Sequence, residues 1–341
     1  MKKLRFGFRA LLKCLGMALL AGLPLLPALA QSLAIVANPG DNNVMLIDTS
    51  RTPFAVVATI PTTGPSAPCC SSSPEWVALT PGGRYAWVTN LGGNDNLVVI
   101  DMSNQIPVVV VKAETLTPPP SCGIGVNTQC RAPQGIAINP CPALVQPHTP
   151  CAARNGDNSA SIYAYVSNPA VDNPNGTIAS VTVIDVNAAL INPSSSIVST
   201  VMLPDGSKPH HLSVSPDGST LFVADNSGLV WLIDTSCAVT SSCPAVRNSF
   251  IFGFPTGGLF GVAAADAEHV WVTVDQDCPA GAVVLLSLVG IAELSRSDVS
   301  ACNPQDIALS PGGRDAWAAF SRVVSCVSSG ARRGIGGSPR N

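Results

Sequence analysis

One eight-residue phrase recurs along the chain and constrains its fold more than any other feature. The phrase is Pro, two variable residues, an aliphatic residue, Ala or Ser, a second aliphatic residue, a small polar residue and Pro. Its copies are PEWVALTP (74–81), PQGIAINP (133–140), PHHLSVSP (209–216), PQDIALSP (304–311) and the degenerate LFGVAAAD (259–266). Three copies run into a PGG or PDG turn that reverses the chain. Such internal repetition indicates one structural unit that packs against copies of itself.

Each phrase leads into further apolar segments. The next segment contains aromatic residues, as in YAWVTN (85–90), and the one after it ends in Asp, as in NLVVIDM (96–102). A looser fourth segment follows in places, as in PVVVVKA (107–113). Short turns rich in Gly, Asn and Asp separate the segments, so each unit is predicted to be an antiparallel four-stranded meander.

Two sets of residues have fixed places in these units. The strand-ending aspartates are predicted to form turns, because Asp hydrogen-bonds the backbone that follows it. They are Asp48, Asp101, Asp185 and Asp234. Four tryptophans in the apolar segments are predicted to lie in the core or between units. They are Trp87, Trp231, Trp271 and Trp317.

The repeat length indicates the architecture. Successive Asp-ended strands are 53, 84 and 49 residues apart. Four-stranded units of this length that pack radially form a β-propeller, whereas a two-sheet sandwich does not predict the same phrase five times. We therefore predict an all-β fold, a β-propeller of four-stranded antiparallel blades, with about five to six blades present. The first strand of each blade is expected to lie nearest the axis, because its apolar run fits burial on both faces.

The second strands carry a known signature. WVTN (87–90) and YVSN (165–168) are its best copies, and an SPDG turn (215–218) and VID strand ends accompany them. On these residues the chain resembles the YVTN-type β-propeller repeat of exported bacterial proteins, over most of 33–321. The resemblance implies a scaffold that commonly has seven blades, so an incomplete seven-blade ring is one form of the expected fold. Closure of the ring by pairing LAIVAN (33–38) with the last phrase is the alternative. No catalytic set is implied, because the family shares a scaffold.

Residues 1–30 are predicted to be an export signal. Five basic residues precede the apolar stretch 15–26, and ALA (28–30) supplies the small residues that a signal peptidase requires. A retained membrane anchor is the alternative reading of the same stretch. We predict that the mature protein is periplasmic or secreted, with no membrane span after cleavage, and that residues 31–321 form the propeller.

The C-terminal residues 322–341 are rich in Ser, Gly and Arg and lack the alternation of strands. The last unit stops after DAWAAFS (315–321), with no third strand that ends in VID. We predict that 322–341 is a disordered or aberrant tail.

The cysteines fit an oxidising compartment. Eight of them are disulfide candidates because they lie near each other or flank one repeat unit. They are Cys122 with Cys130, Cys141 with Cys151, Cys237 with Cys243, and Cys278 with Cys302. Zinc is the alternative, but the sequence contains no CxxC pair.

Charge and motifs exclude several function classes. The formal net charge is −3 and only 18 residues are Lys or Arg, so nucleic acid is excluded as a partner. The sequence contains no phosphate-binding loop, dinucleotide fingerprint, nucleophile elbow or haem-attachment motif. We therefore predict no cofactor and no catalytic residues.

The axial mouth is the candidate ligand site, because the two variable positions of each phrase converge there from different blades. The candidate binding residues are Glu75, Gln134, His210, His211, Gln305 and Asp306. Adjacent residues on a strand point to opposite faces, so one histidine is expected to face the channel while the other packs between blades. No metal is predicted; a metal held by one histidine with Glu75 or Asp306 is the alternative.

The sequence favours a non-enzymatic binding or scaffold module, whose partner is a protein or a small molecule. Two alternatives stay open. One is a lactonase-like hydrolase with a metal at the axial mouth, as in propellers of related build. The other is a subunit of a periplasmic redox complex, which would need a companion protein to carry its cofactor.

Overall fold

Antiparallel β-sheets make up nearly all of the regular structure in a computed structural model of the chain. The described residues are 33–50, 52–62, 74–90, 97–103, 108–113, 133–139, 162–169, 179–241, 244–251, 258–275, 281–290, 292–299, 304–309, 315–320 and 324–328. Their 22 strands form six sheets, of which four have four strands and two have three. The fold is an all-β β-propeller, and the number of sheets agrees with the predicted five to six blades.

The sheets are numbered 1 to 6 in chain order. Sheet 1 contains β1 (Leu33–Asn38), β2 (Asn43–Asp48) and β3 (Ala55–Pro61). Sheet 2 contains β4 (Pro74–Leu79), β5 (Tyr85–Asn90), β6 (Leu97–Asp101) and β7 (Val108–Ala113). Sheet 3 contains β8 (Ile136–Ile138), β9 (Tyr163–Asn168), β10 (Ser180–Asp185) and β11 (Ile197–Met202).

The remaining sheets follow in the same way. Sheet 4 contains β12 (Pro209–Val214), β13 (Thr220–Asp225), β14 (Leu229–Asp234) and β15 (Val246–Ile251). Sheet 5 contains β16 (Leu259–Ala264), β17 (His269–Asp275), β18 (Gly281–Ser287) and β19 (Ala292–Val299). Sheet 6 contains β20 (Pro304–Leu309), β21 (Asp315–Phe320) and β22 (Val324–Ser328). The described helices are α1 (Val186–Ile191), α2 (Thr235–Thr240) and two 3₁₀ turns, Pro39–Asp41 and Pro193–Ser195.

The first strands of consecutive sheets lie beside one another. β4 contacts β8, β8 contacts β12, β12 contacts β16 and β16 contacts β20. Within each of these sheets the strands pair in meander order with this strand at one edge. The repeated phrase therefore forms the strands nearest the axis, as the sequence predicts. Sheet 1 begins instead with β1, which is a second strand by sequence and contacts β4 directly.

Five apolar clusters fill the spaces between consecutive sheets. We call the side of a sheet that packs on the next sheet its forward face, and the opposite side its backward face. In sheet 2, Trp87 lies on the forward face against Ile136, and Val88 lies on the backward face against Val44. Alternation along one strand thus supplies residues to two different cores.

The strand-ending aspartates form turns, as predicted. The Asp48 carboxylate accepts hydrogen bonds from the N–H and hydroxyl of Ser50, and Asp101 does the same with Ser103. Asp185 caps α1 by accepting the Ala188 N–H. Asp234 caps α2 in the same manner and also pairs with Arg247. These carboxylates therefore stabilise turns and helix ends.

Three expectations that involve sheet 6 need correction. The segment 324–328, assigned to a disordered tail, forms β22 and pairs antiparallel with β21. Trp317, expected to be buried like the other strand tryptophans, is 51% exposed. The proposed pairing of 33–38 with the last phrase is also not formed, because β1 pairs with β2 and β20 pairs with β21 in the described sheets. The rest of 322–341 lies outside the described residues.

Several other predictions also lie outside the described residues. The export signal 1–30 is among them, as are all the disulfide candidates except Cys237. Cys237 is buried and disulfide-bonded, and its pairing with Cys243 stays a prediction. Over the described part of the chain, no helix has both the length and the hydropathy needed to cross a bilayer.

Candidate functional site

A one-residue bulge recurs near the start of the first strands. In sheet 4 Pro209 pairs with Asp225 and Leu212 pairs with Val223, so two histidines stand opposite a single residue. Sheets 2, 5 and 6 show the same shift at the variable positions of the phrase. A bulge interrupts strand alternation and redirects side chains, and such bulges are common beside functional sites.

The bulge brings both histidines into one aromatic cluster. The His211 ring stacks on Trp76 with ring centroids 4.1 Å apart and an interplanar angle of 14°. The His210 ring meets Trp76 edge-on at 6.0 Å and Phe260 at 4.7 Å. The expectation that the two histidines point to opposite faces is therefore wrong, because it assumed regular alternation. We call Trp76, His210, His211 and Phe260 the hub cluster; they come from sheets 2, 4 and 5.

Glycines in alternate sheets allow these side chains to meet. The second variable position of the phrase is occupied, in sheet order, by Trp76, Gly135, His211, Gly261 and Asp306. A Cβ on Gly135 would lie 2.4 Å from the His210 carbonyl oxygen, and one on Gly261 would lie 3.0 Å from the Ile307 nitrogen. Because sheets 3 and 5 have glycine at this second position, the residues that sheets 2, 4 and 6 carry there approach one another across the axis.

His211 links the hub cluster to Asp306. Its Nδ1 accepts a hydrogen bond from the Val262 N–H at 3.3 Å and lies 3.5 Å from Asp306 Oδ1. We assign the ring proton to Nε2, because Nδ1 acts as an acceptor. Burial, with neighbouring His210 as a second cause, lowers the pKa of His211 to about 3, so the ring is neutral at pH 7.

The carboxyl groups at the mouth are held towards their protonated forms. Burial raises the pKa of Asp306 to about 7, although 46% of its side-chain surface remains accessible to water. A side chain that lines a concavity can be accessible on one side and still be surrounded by protein on the others. The protonated carboxyl can face the lone pair of His211 Nδ1 without repulsion. Burial also raises the pKa of Glu75.

Two buried polar atoms of the hub cluster lack a hydrogen-bond partner in the part of the chain that the structure describes. They are Nε1 of Trp76 and Nδ1 of His210. Burial lowers the pKa of His210 to about 4, so this ring is also neutral at pH 7. Buried polar groups are normally satisfied by protein or solvent, so these two atoms are candidates for contact with a ligand or water.

Hydroxyl groups of the YVTN-like signature hold the bulges in place. Thr89 donates its hydroxyl hydrogen to the carbonyl of Gln134 at 2.9 Å, which joins sheet 2 to sheet 3. Ser167 donates to the carbonyl of His210 and accepts the Gly135 N–H at 2.8 Å, which joins sheet 3 to sheet 4. The third residue of the signature therefore fixes the backbone of the next sheet at the mouth.

The predicted site residues divide into three groups. His210, His211 and Asp306 lie together, as described above. Glu75 and Gln134 are partly buried at the corresponding positions of sheets 2 and 3. The side chain of Gln305 lies outside the described residues. Trp76 and Phe260 were not among the predicted site residues. Both occupy variable positions of the phrase, and this shared position could have identified them.

Potential metal ligands are not grouped at this site. Among the described residues, no three His, Cys, Asp or Glu side chains are placed so that they could hold one metal ion. The site consists of aromatic rings, neutral imidazoles and two carboxyls whose pKa values are raised by burial, and it is suited to hydrogen bonding and stacking.

Comparisons with solved structures agree with this architecture. The chain is similar to hydrazine synthase of Kuenenia stuttgartiensis, with a TM-score of 0.55 and 16% identity over 87% of this chain and 73% of that one. It is similar to a "putative 6-phosphogluconolactonase" of Bacteroides uniformis, with a TM-score of 0.58 and 14% identity over 87% and 77% of the two chains. A functionally unknown protein of Desulfotomaculum acetoxidans gives 0.55 and 14%, over 87% and 75%.

These identities are low, so the similarities concern the fold alone. No protein-family model matches the sequence. No curated protein matches it either. Repeated inner strands, aromatic second strands and three structural relatives together identify the chain as a β-propeller.

Proposed function

We propose that the chain is an exported YVTN-type propeller that binds an uncharged polar small molecule at the hub cluster. The observation that carries the proposal is the pair of unpartnered buried atoms, Trp76 Nε1 and His210 Nδ1, among aromatic rings. A buried polar group without a partner costs about 1–3 kcal/mol. A ligand with hydroxyl or carbonyl groups would recover this free energy by hydrogen-bonding both atoms.

The charges at the mouth favour an uncharged ligand over an anion. His210 and His211 remain neutral at pH 7 because burial lowers both pKa values, so neither ring provides a cation for an ion pair. A carboxylate ligand would also meet Glu75 and Asp306, whose ionised forms repel it. An uncharged ligand avoids both penalties and can still stack on the exposed part of Phe260.

Features of the sequence support export and the repeat family. The predicted signal over 1–30 and the predicted disulfide cysteines both fit a periplasmic or extracellular protein. The signatures 87–90 and 165–168 occupy β5 and β9, where their Thr89 and Ser167 hydroxyls contact the next sheet. This gives the signature the same structural role in two successive blades.

Nuclear magnetic resonance of the full ¹⁵N-labelled chain tests the proposal. The probes are two fragment sets of similar size, one of sugar alcohols and lactams and one of carboxylates. The uncharged set is expected to shift the indole N–H signal of Trp76, because that group is free to donate, and the carboxylates are expected to shift it less. Trp76→Phe identifies the signal, since it removes the indole while keeping an aromatic ring.

Trp317 provides the matched control. Its indole lies on sheet 6, outside the hub cluster, so Trp317→Phe should leave the fragment response of Trp76 unchanged. The proposal is contradicted if no fragment moves the Trp76 signal, or if carboxylates move it as much as uncharged fragments.

The two alternative functions remain predictions with their own signatures. A metal-assisted lactonase would hydrolyse a simple lactone only with an added divalent cation and would lose that activity in His210→Leu. A redox-complex subunit would co-purify from its native host with a protein that carries a cofactor.

A further inference from the structure

One position of the repeat carries a hydroxyl group in sheets 2, 3 and 5 but not in sheet 4. This position is the third residue of the YVTN-like signature, which lies opposite the variable residues of the phrase in each of sheets 2 to 6. Its occupants, in sheet order, are Thr89, Ser167, Ala224, Thr273 and Ala319. Of the four that precede another described sheet, Ala224 alone has no hydroxyl.

The hydroxyl at this position binds the carbonyl of the first variable residue in the next sheet. Thr89 donates to Gln134 in sheet 3, and Ser167 donates to His210 in sheet 4. The corresponding acceptor in sheet 5 is the carbonyl of Phe260, to which an alanine side chain cannot donate. Ala224 therefore leaves this carbonyl to a different donor.

The ring of His210 is that donor. Burial lowers the pKa of His210, and a hydrogen bond to the backbone of Phe260 partly offsets this, as expected when the backbone group is a carbonyl acceptor. Nδ1 of the ring has no partner in the described part of the chain, so Nε2 forms this bond. A neutral imidazole has one donor nitrogen and one acceptor nitrogen. Nε2 therefore carries the hydrogen, and Nδ1 remains an acceptor.

Both the backbone and the ring of His210 are held in this arrangement. Ser167 binds its carbonyl, and the Phe260 carbonyl binds its ring. The Trp76 ring lies edge-on to it with ring centroids 6.0 Å apart, so one small ligand can contact both rings. Nε1 of Trp76 can only donate a hydrogen bond. The two unpartnered atoms of the hub cluster are thus one fixed donor and one fixed acceptor.

We propose that the hub cluster selects a ligand that both accepts and donates hydrogen bonds, such as an alcohol or an amide, over one that only accepts, such as a lactone, an ester or a ketone. This inference rests on the proposed function, because it concerns the same site. An oxygen of the ligand accepts from Trp76 Nε1, and a hydroxyl or N–H of the ligand donates to His210 Nδ1. His211 cannot replace this acceptor, because its Nδ1 already accepts the Val262 N–H.

A ligand that only accepts is disfavoured at His210. It can satisfy the indole N–H of Trp76, but it meets Nδ1 of His210 with a second lone pair. That nitrogen then stays without a hydrogen bond after the ligand has excluded water from it. Leaving a buried acceptor unpaired in this way is costly, whereas a matched donor removes the cost.

Two probes of equal ring size separate the two ligand classes, 2-pyrrolidinone and γ-butyrolactone. Both have a carbonyl oxygen, but only the lactam has an N–H. Each is titrated into the full ¹⁵N-labelled chain, and the Trp76 indole signal gives its dissociation constant. The lactam is expected to bind at least about tenfold more tightly than the lactone. The ¹⁵N chemical shifts of the His210 ring, measured without a probe, should show the hydrogen on Nε2.

Ala224→Ser tests the origin of the selectivity. The new hydroxyl is expected to donate to the Phe260 carbonyl, as Ser167 donates to the carbonyl of His210. The ring of His210 can then carry its hydrogen on Nδ1 as well, so the preference for the lactam should fall several-fold. Ala319→Ser is the matched control, because it adds the same hydroxyl at the same position of sheet 6, and it should leave the preference unchanged. The intrinsic difference between an amide and an ester carbonyl is the same for both variants.

Three results overturn the inference. Equal binding of the two probes overturns it and leaves the proposed function standing. An unchanged preference in Ala224→Ser assigns the selectivity to a group other than His210. A His210 ring with its hydrogen on Nδ1 in the unsubstituted chain contradicts the inference directly, and this result does not depend on the folding of any variant. If neither probe moves the Trp76 signal, the inference also falls, and the proposed function falls with it only if sugar alcohols leave the signal unchanged.

Discussion

Sheets 5 and 6 place a tryptophan at the same point of the second strand, with opposite outcomes. Trp271 is buried between sheets 5 and 6, whereas Trp317 faces outwards with half of its surface exposed. Both strands alternate in the same way and both pair with a first strand on one side. The repeat therefore determines which way the side chain points, but only a neighbouring sheet determines whether it is buried.

The backward faces of sheets 1 and 2 differ in the same way. Val88 is covered because sheet 1 lies behind sheet 2, and the equivalent Val36 has no described sheet behind it. End sheets thus contribute one apolar face to the core, and interior sheets contribute two. Replacing a large side chain by Ala should therefore lower the free energy of unfolding much more at an interior position of the repeat than at the equivalent end position.

The largest expected difference concerns the two tryptophans. Trp271→Ala should lower the free energy of unfolding by about 3–5 kcal/mol, because it leaves a cavity between sheets 5 and 6. Trp317→Ala should lower it by less than about 1 kcal/mol, because much of that side chain is already in water. Urea unfolding of both variants, followed by circular dichroism, measures the two values. Equal losses would show that Trp317 is covered in solution and would remove the distinction between end and interior.

Val88 in sheet 2 and Val36 in sheet 1 allow the same comparison at the other end of the row of sheets, with a smaller expected difference. Val88→Ala removes two buried methyl groups and should lower the free energy of unfolding by about 2 kcal/mol. Val36→Ala should lower it by less than about 1 kcal/mol, because it lies at an open face. The same urea titration serves as the measurement. A loss in Val36→Ala that matches Val88→Ala would indicate that another part of the protein packs behind sheet 1.

Much of this fold was predictable because the repeat is local. The phrase, the Gly turn and the Asp-ended strand specify a meander within about 50 residues, and pairing follows from the turns. The position of Trp317 was predicted incorrectly because its sequence neighbours resemble those of Trp271. Burial depends on which sheets stand on either side, and strand periodicity contains no such information.

The sequence predicted which positions meet at the hub but not how their side chains are directed. The variable positions do converge at the hub, so the proximity of His210, His211 and Asp306 could be predicted, and their role in ligand binding stays a prediction. The relative direction of the two histidines was not predictable from regular alternation, because the bulge opposite Ala224 redirects them. Trp76 was not among the candidate binding residues, and its contact with His211 depends on Gly135 in the sheet between them.

The smallest expected effect concerns Asp306, which connects end sheet 6 to the hub. Its pKa is raised from 3.8 to about 7 by burial, so between these values the folded chain keeps a proton that the unfolded chain has released. This stabilising contribution is complete below pH 3.8 and is lost as the pH rises through 7. The lowered pKa values of His210 and His211 change the stability with pH in the opposite direction. Both histidines are present in the unsubstituted chain and in Asp306→Asn, so their contribution cancels in a comparison of the two.

Asp306→Asn should therefore remove a decline in stability between pH 4 and 7 that the unsubstituted chain shows. The relevant quantity is the difference between the two urea midpoints at several pH values. The effect should be smaller than that of Val88→Ala, because the Asp306 side chain is 46% exposed and water screens its charge. A constant difference across this range would mean that Asp306 titrates as in water. Sheet 6 would then be detached from the hub, and the end of the row would lie at sheet 5.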